Sequence, residues 1–226
     1  ALGDEAYERG SARDFGRCYD ATWGRFKDRT RPVPGNHEYM TPGVKGYFDY
    51  FGTVAGELSG GYYSYDFGRW HVVALNSNDC MSIGGCSVLS NQVRWLKADL
   101  SSNEDRTCTL AYMHHPRFSS GEEHGNTPEV GPLWDVLYDA GVDIVLSGHE
   151  HNYERFAPQD PDAQPDPARG IRAFIVGTGG KNHYAPGYAF RVVQPHSVVR
   201  DSQTFGVLEL TLHQDGYDWR FVPAAG

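Results

Sequence analysis

What this sequence lacks narrows it first. No run approaches the roughly 18 consecutive apolar residues of a membrane-spanning helix. Lysine is scarce, and no basic stripe relieves the formal net charge of −9, so a nucleic-acid-binding surface is not expected. The cysteines, Cys18, Cys80, Cys86 and Cys108, include no pair at the close spacing of a structural zinc site. There is no starting Met and no signal segment; the chain opens on Ala1-Leu2-Gly3-Asp4, which reads as a strand running into a loop. An acidic chain acting on an anionic substrate needs local positive charge, and bound metal would supply it.

What is present suits one large domain over residues 1–226. The 226 residues are 39% apolar, enough to bury a full core. Aromatics are plentiful (14 Tyr, 11 Phe, 5 Trp), and 27 Gly with 13 Pro indicate many loops. Cys80 and Cys86 flank Met-Ser-Ile-Gly-Gly, a short loop that a disulfide would close. A disulfide there favours an exported protein, secreted or periplasmic. For Cys18 and Cys108 three fates stay open: pairing, free thiols, or partners outside the chain.

Periodicity sets the elements. Phe15, Tyr19, Trp23 and Phe26 fall at helical spacing in residues 11–28, and Tyr47, Phe48, Tyr50 and Phe51 give residues 44–51 an apolar side. Residues 62–67 and 70–75 read as a strand pair turning at Gly68-Arg69. Residues 89–100 predict a helix with Val93, Leu96 and Leu100 inward, and 128–140 a second, with Pro128 near its start and Gly141 past its end. Strands are expected at 109–113, 142–146, 171–176, 205–212 and 217–222, and a surface loop at 157–169. Helices alternate with strands early and strands dominate late, which points to an α/β domain of stacked sheets covered by helices.

Four polar clusters sit beside strand ends: Gly3-Asp4-Glu5-Ala6-Tyr7, Gly35-Asn36-His37-Glu38, His114-His115-Pro116 and Gly148-His149-Glu150-His151. Imidazole is the commonest protein metal ligand, and α/β folds hold their sites at strand ends. A two-metal hydrolytic site needs a bridging carboxylate and terminal oxygen or nitrogen donors. Asp4 can bridge, Asn36 offers an amide oxygen, and His114, His149 and His151 offer imidazoles. Each cluster alone has a bland reading: a turn for Gly3-Asp4 and Gly35-Asn36, a packed ring for Tyr7, a core or surface histidine for His114. Their order and chemistry together are harder to explain by accident.

That order resembles the calcineurin-like metallophosphoesterases, most closely their purple-acid-phosphatase-like branch, in which the Tyr of Gly-Asp-x-x-Tyr is the distinguishing residue. The motifs run from Ala1 to about Phe156. The resemblance implies a four-layer α/β/β/α fold of stacked β-sheets flanked by helices. It implies that Asp4 bridges two metals, that Asn36, His114 and His149 hold the second-site metal, and that Tyr7 and His151 hold the first. A tyrosine ligand favours Fe(III) there, beside a divalent Fe, Zn or Mn. The family's remaining first-site ligand is an Asp on a strand before Gly-Asp-x-x-Tyr, and the sequence begins at Ala1, after that point. The expectation is a truncated member, its first strand missing, its first-site metal weak or absent, and its exposed strand edges open to rearrangement or self-association.

The reaction implied is hydrolysis of a small phosphate ester, most often a monoester, by a metal-activated hydroxide. His37 resembles the family's catalytic histidine. His124 resembles a second substrate-side histidine and reads equally well as a solvated loop residue. Glu38 is expected to orient a neighbour, His115 to play a supporting part, and Glu150 to point away from the metals. Lys181 and His183 follow Gly177-Thr178-Gly179-Gly180, a turn that can reach phosphate or be only a turn. The competing functions are a phosphodiesterase or nucleotide hydrolase, and a truncated, non-catalytic metal- or phosphate-binding protein.

Overall fold

The computed structural model describes every residue except 57–59, 83–84, 107, 185–189, 191 and 226. Nine strands form among the described residues: β1 (Tyr63–Phe67), β2 (Trp70–Ala74), β3 (Cys108–Met113), β4 (Ile144–Ser147), β5 (Tyr153–Phe156), β6 (Arg172–Val176), β7 (Ser197–Asp201), β8 (Gly206–Leu212) and β9 (Tyr217–Pro223). The first seven make one sheet in the order β1-β2-β3-β4-β6-β5-β7. Its centre, β2-β3-β4-β6, is parallel, and the remaining pairings are antiparallel.

Side-chain alternation sorts the two faces. Val73, Ala111, Val145 and Ala173 lie in one row of the register and face the helices Asn91–Ser101 and Gly131–Asp139. Ala74, Tyr112, Leu146 and Phe174 form the next row and face the opposite way, towards Leu208, Leu210, Trp219 and Phe221 of the β8–β9 hairpin. Leu96, Leu133, Trp134 and Leu137 are fully or almost fully buried on the helical side; each such side chain contributes about 1.5–3 kcal/mol of transfer free energy. The Ser90 hydroxyl caps Asn91–Ser101 by accepting from Val93 N at 3.3 Å. Gly141, at φ +74°, stands where the second helix has ended.

Two expectations are corrected. The 11–28 segment is a chain of short pieces, with a π-turn over Phe15–Tyr19 and a 3-10 stretch over Trp23–Arg29. The extra residue per π-turn shifts the later aromatics off the apolar face: Phe15 and Tyr19 are buried, whereas Trp23 is 43% exposed. Strands β5 and β7 escaped the sequence reading because β5 is brief and carries a buried glutamate, Glu154, while β7 is a polar edge strand. The seven-stranded sheet is continuous among the described residues. The second layer consists of the β8–β9 hairpin, with Ala1 bonded alongside residues 31–33 (Ala1 N to Arg31 O, 2.9 Å; Val33 N to Ala1 O, 3.2 Å). A cavity of about 1440 Å³ opens between Leu2, Val72, Leu110, Leu146, Leu208 and Leu212 and reaches Asp4 and His149.

Candidate metal centre

Strands β3 and β4 end side by side, with Met113 paired to Ser147, so His114 and Gly148-His149 leave the sheet together; Gly148 N donates to His114 O at 3.0 Å. The 35–38 loop arrives through the pairing of Val33 with Ala1. Close approach explains two glycines: a Cβ on Gly35 would fall 2.1 Å from Asp4 Oδ1, and one on Gly3 would fall 2.4 Å from His114 Nδ1. Asp4 and His149 occupy the left-handed region at φ +52° and +65°, a backbone strain that sites retain. Glu38 ties the loops together. Its fully buried carboxylate accepts from Asp4 N (2.9 Å), Ala6 N (3.2 Å) and Gly35 N (2.8 Å). Burial, and then the Asp4 charge, push its pKa up to about 7.

One nitrogen reports the chemistry of the buried half. His114 Nδ1 donates to Leu2 O at 2.8 Å, which leaves Nε2 without a proton. That bare Nε2 faces Asn36 Oδ1 at 2.9 Å, His149 Nδ1 at 3.1 Å and Asp4 Oδ1 at 3.5 Å. A single proton on His149 would satisfy one contact and leave two oxygens facing the same lone pair. A cation satisfies all of them: with donors about 2.0–2.1 Å from a tetrahedral metal, neighbouring donors lie roughly 3.3 Å apart. Burial lowers the pKa values of His114 and His149, holding both neutral as ligands require.

The other half is built on the same plan. His151 Nδ1 donates to Asn182 O at 2.9 Å, leaving Nε2 towards Tyr7 Oη at 3.5 Å. Tyr7 Oη donates to Asp4 Oδ2 at 3.0 Å. Burial and the Asp4 carboxylate raise the Tyr7 pKa well above its usual range, so the phenol keeps its proton until a cation replaces it. The two Asp4 oxygens therefore divide between the halves: Oδ1 beside His114, Oδ2 beside Tyr7. Both histidines carry the backbone-carbonyl support usual for metal-binding imidazole. The donor sets fit a cation on each side.

The remaining sequence candidates fall around this core. His37 N donates to Asp4 Oδ1 at 3.0 Å, and its Nδ1 donates to Glu8 O at 2.6 Å; Nε2 stands 4.0 Å from Asp4 Oδ2. His124 stacks on His149 with ring centres 4.0 Å apart. Glu150 points away from the metal-facing atoms, and its Oε1 accepts from His124 N at 2.9 Å and Gly125 N at 2.7 Å, fixing that loop. His115 forms a compact nitrogen cluster with His114 and His149. Its Nδ1 is taken by Ser77 Oγ at 2.8 Å, and burial pushes its pKa down to about 2, which suits a supporting role. Cys80 and Cys86 form the expected disulfide; Cys18 and Cys108 are free thiols.

Sequence reasoning singled out Lys181 and His183 only through the turn they follow, and missed Asn182 and Tyr184 beside His151. Tyr184 stacks on its ring at 4.8 Å, His183 Nδ1 donates to its carbonyl at 3.0 Å, and Lys181 Nζ lies 4.1 Å from the Tyr7 ring centre. They come from one loop whose only sequence signal is its glycine run.

Comparison with known proteins points to one family. A family model described as calcineurin-like phosphoesterase matches residues 1–153. Purple acid phosphatase 21 of Arabidopsis thaliana is 36% identical over 141 residues, covering 60% of this chain and 30% of the relative. Purple acid phosphatase 15 of the same plant is 31% identical over 176 residues, covering 70% and 32%. Acid phosphatase type 7 of Homo sapiens is 29% identical over 144 residues, covering 55% and 32%. The chain thus spans about a third of the length of these relatives. The purple acid phosphatase PPD1 from yellow lupin seeds shares the fold, with a TM-score of 0.65 at 19% identity over 85% of this chain and 36% of that one.

Proposed function

The chain belongs to the calcineurin-like phosphoesterase family, and from that membership we propose that it hydrolyses phosphate esters, chiefly phosphomonoesters, at a dinuclear metal site. In this reading Asp4 is shared, Asn36, His114 and His149 complete one half, and Tyr7 and His151 complete the other. The observation that carries it is the division of the Asp4 carboxylate, one oxygen beside His114 and the other beside Tyr7. The tyrosine favours Fe(III) on its side, with a divalent Fe, Zn or Mn opposite. Bound metals supply the nucleophile at acidic to neutral pH and neutralise charge on the phosphoryl oxygens.

The chain's own residues do the rest. His37 Nδ1 donates a hydrogen bond to Glu8 O, which orients the ring and leaves Nε2 as the working nitrogen; when the ring carries a second proton, Nε2–H can donate to a phosphoryl oxygen or protonate the leaving alcohol. His124, stacked on His149 and held by Glu150, offers a second imidazole at the rim. The Cys80–Cys86 disulfide supports an oxidising compartment, outside the cell or in a periplasm. Self-association, if it occurs, would use the outer edge of the β8–β9 hairpin, and sedimentation at rising concentration tests for it.

The test is turnover of p-nitrophenyl phosphate and of its bis ester by the iron- and zinc-loaded chain. The expected result is faster monoester hydrolysis that Asp4→Asn abolishes. Activity untouched by Asp4→Asn contradicts the site; faster diester hydrolysis favours a phosphodiesterase. A non-catalytic binding protein is the second reading, supported by the placement of His151, which rests on the loop carbonyl of Asn182. It predicts metal and phosphate binding without turnover.

A further inference from the structure

The Lys181–Glu8 pair at the site's rim has no part in the chemistry above. Lys181 Nζ meets Glu8 Oε1 at 2.5 Å and lies 4.1 Å from the centre of the Tyr7 ring. His37 packs against the same ring, with centres 4.4 Å apart. Glu8 therefore organises both groups, its carbonyl oxygen accepting from His37 and its carboxylate from Lys181. Glu8 is 68% exposed and Lys181 is 26% exposed. Such a solvent-facing pair exchanges partners readily.

The surroundings make that exchange useful. The chain has a net charge of −9, and both Asp4 and Glu8 flank the space beside Tyr7. An ammonium has three N–H donors, and Glu8 Oε1 engages one. Lys181 Nζ and the His37 ring both pack against the ring of Tyr7, whose Oη faces Asp4 and His151, so both groups stand at the rim of the metal centre.

We propose that Lys181 is a phosphate-contacting specificity residue: its ammonium leaves Glu8 for the unesterified oxygens of an incoming phosphomonoester. This rests on the phosphoesterase reading above. A monoester dianion carries one more negative charge than a diester monoanion, so a cation at this position favours the monoester. Glu8 acts as a competitor that parks the lysine until substrate arrives.

Two substitutions separate this role from a simple loop clip. Lys181→Met and Glu8→Gln both break the ion pair, so a clip predicts the same change from each. A phosphate contact predicts opposite changes. Calorimetric titration of inorganic phosphate into the metal-loaded full chain should show affinity weakened about tenfold by Lys181→Met and tightened two- to fivefold by Glu8→Gln. Lys181→Arg should restore most of the loss. Where turnover is present, the monoester-to-diester ratio of kcat/KM should fall tenfold or more in Lys181→Met. Changes of the same sign, no change in either variant, or no phosphate binding to the unsubstituted chain overturns the proposal. Phosphate binding with the predicted signs but without turnover leaves Lys181 standing and removes the enzymatic reading.

Discussion

His114 and His151 are both imidazoles whose Nδ1 donates to a backbone carbonyl, Leu2 O in one case and Asn182 O in the other. Their supports differ. His114 leaves the end of a central parallel strand, is 1% exposed, and rests on a residue packed against the sheet. His151 is half-buried and rests on the loop after Gly177-Thr178-Gly179-Gly180. One half of the site is held by the fold; the other depends on how a loop sits. Pre-organisation by packed elements should translate into tighter metal binding and less tolerance of substitution on the His114 side.

The largest effect is expected from removing the buried ligand. His114→Ala should empty its half and lower kcat/KM by about 10³-fold or more, since metal charge stabilisation is worth several kcal/mol. His151→Ala should leave the buried metal bound while releasing the one beside Tyr7, seen as loss of the phenolate-to-iron absorption. Equal metal loss in the two variants would break the contrast.

A smaller, shared effect should follow from Glu38→Ala. It strands three N–H groups, those of Ala6 and Gly35 buried and that of Asp4 partly so, on the two loops. We expect about 3 kcal/mol of destabilisation and metal binding weakened by roughly 10–100-fold on both sides. An unchanged thermal midpoint would show that the loops hold without it.

The smallest effect lies away from the site. His71 sits between Asp99 (2.7 Å) and Asp66 (3.0 Å), and the Asp99 hydrogen bond, aided by Asp66 against burial, raises its pKa above the ordinary 6.5. The charged form is favoured in the native state, so this stabilisation is full below 6.5 and fades as pH rises through the raised native value. Thermal midpoints should fall between pH 6 and 8.5 more steeply for the native sequence than for His71→Gln. Parallel profiles would remove His71 from the account.

The contrast between the two halves also marks what was legible in the sequence. Asp4 and Asn36 follow glycines, His114 and His149 follow strand ends, and such local patterns are visible in one dimension. The π-turn at Phe15–Tyr19 was not, because periodicity assumes a constant number of residues per turn. Strand β5 was hidden by Glu154, whose burial makes sense only once Ser120 N and Ser197 Oγ are beside it. Lys181, Asn182 and Tyr184 reach His151 and Tyr7 across more than 30 residues of chain, and no pattern within their own loop encodes that contact.

The bridging role of Asp4 is tested most directly by counting metals per chain after reconstitution with iron and zinc and removal of excess. The account predicts two in the native sequence, one in His151→Ala, and weakened binding on both sides in Asp4→Asn. A single metal in the native sequence, retained unchanged in both variants, would contradict it.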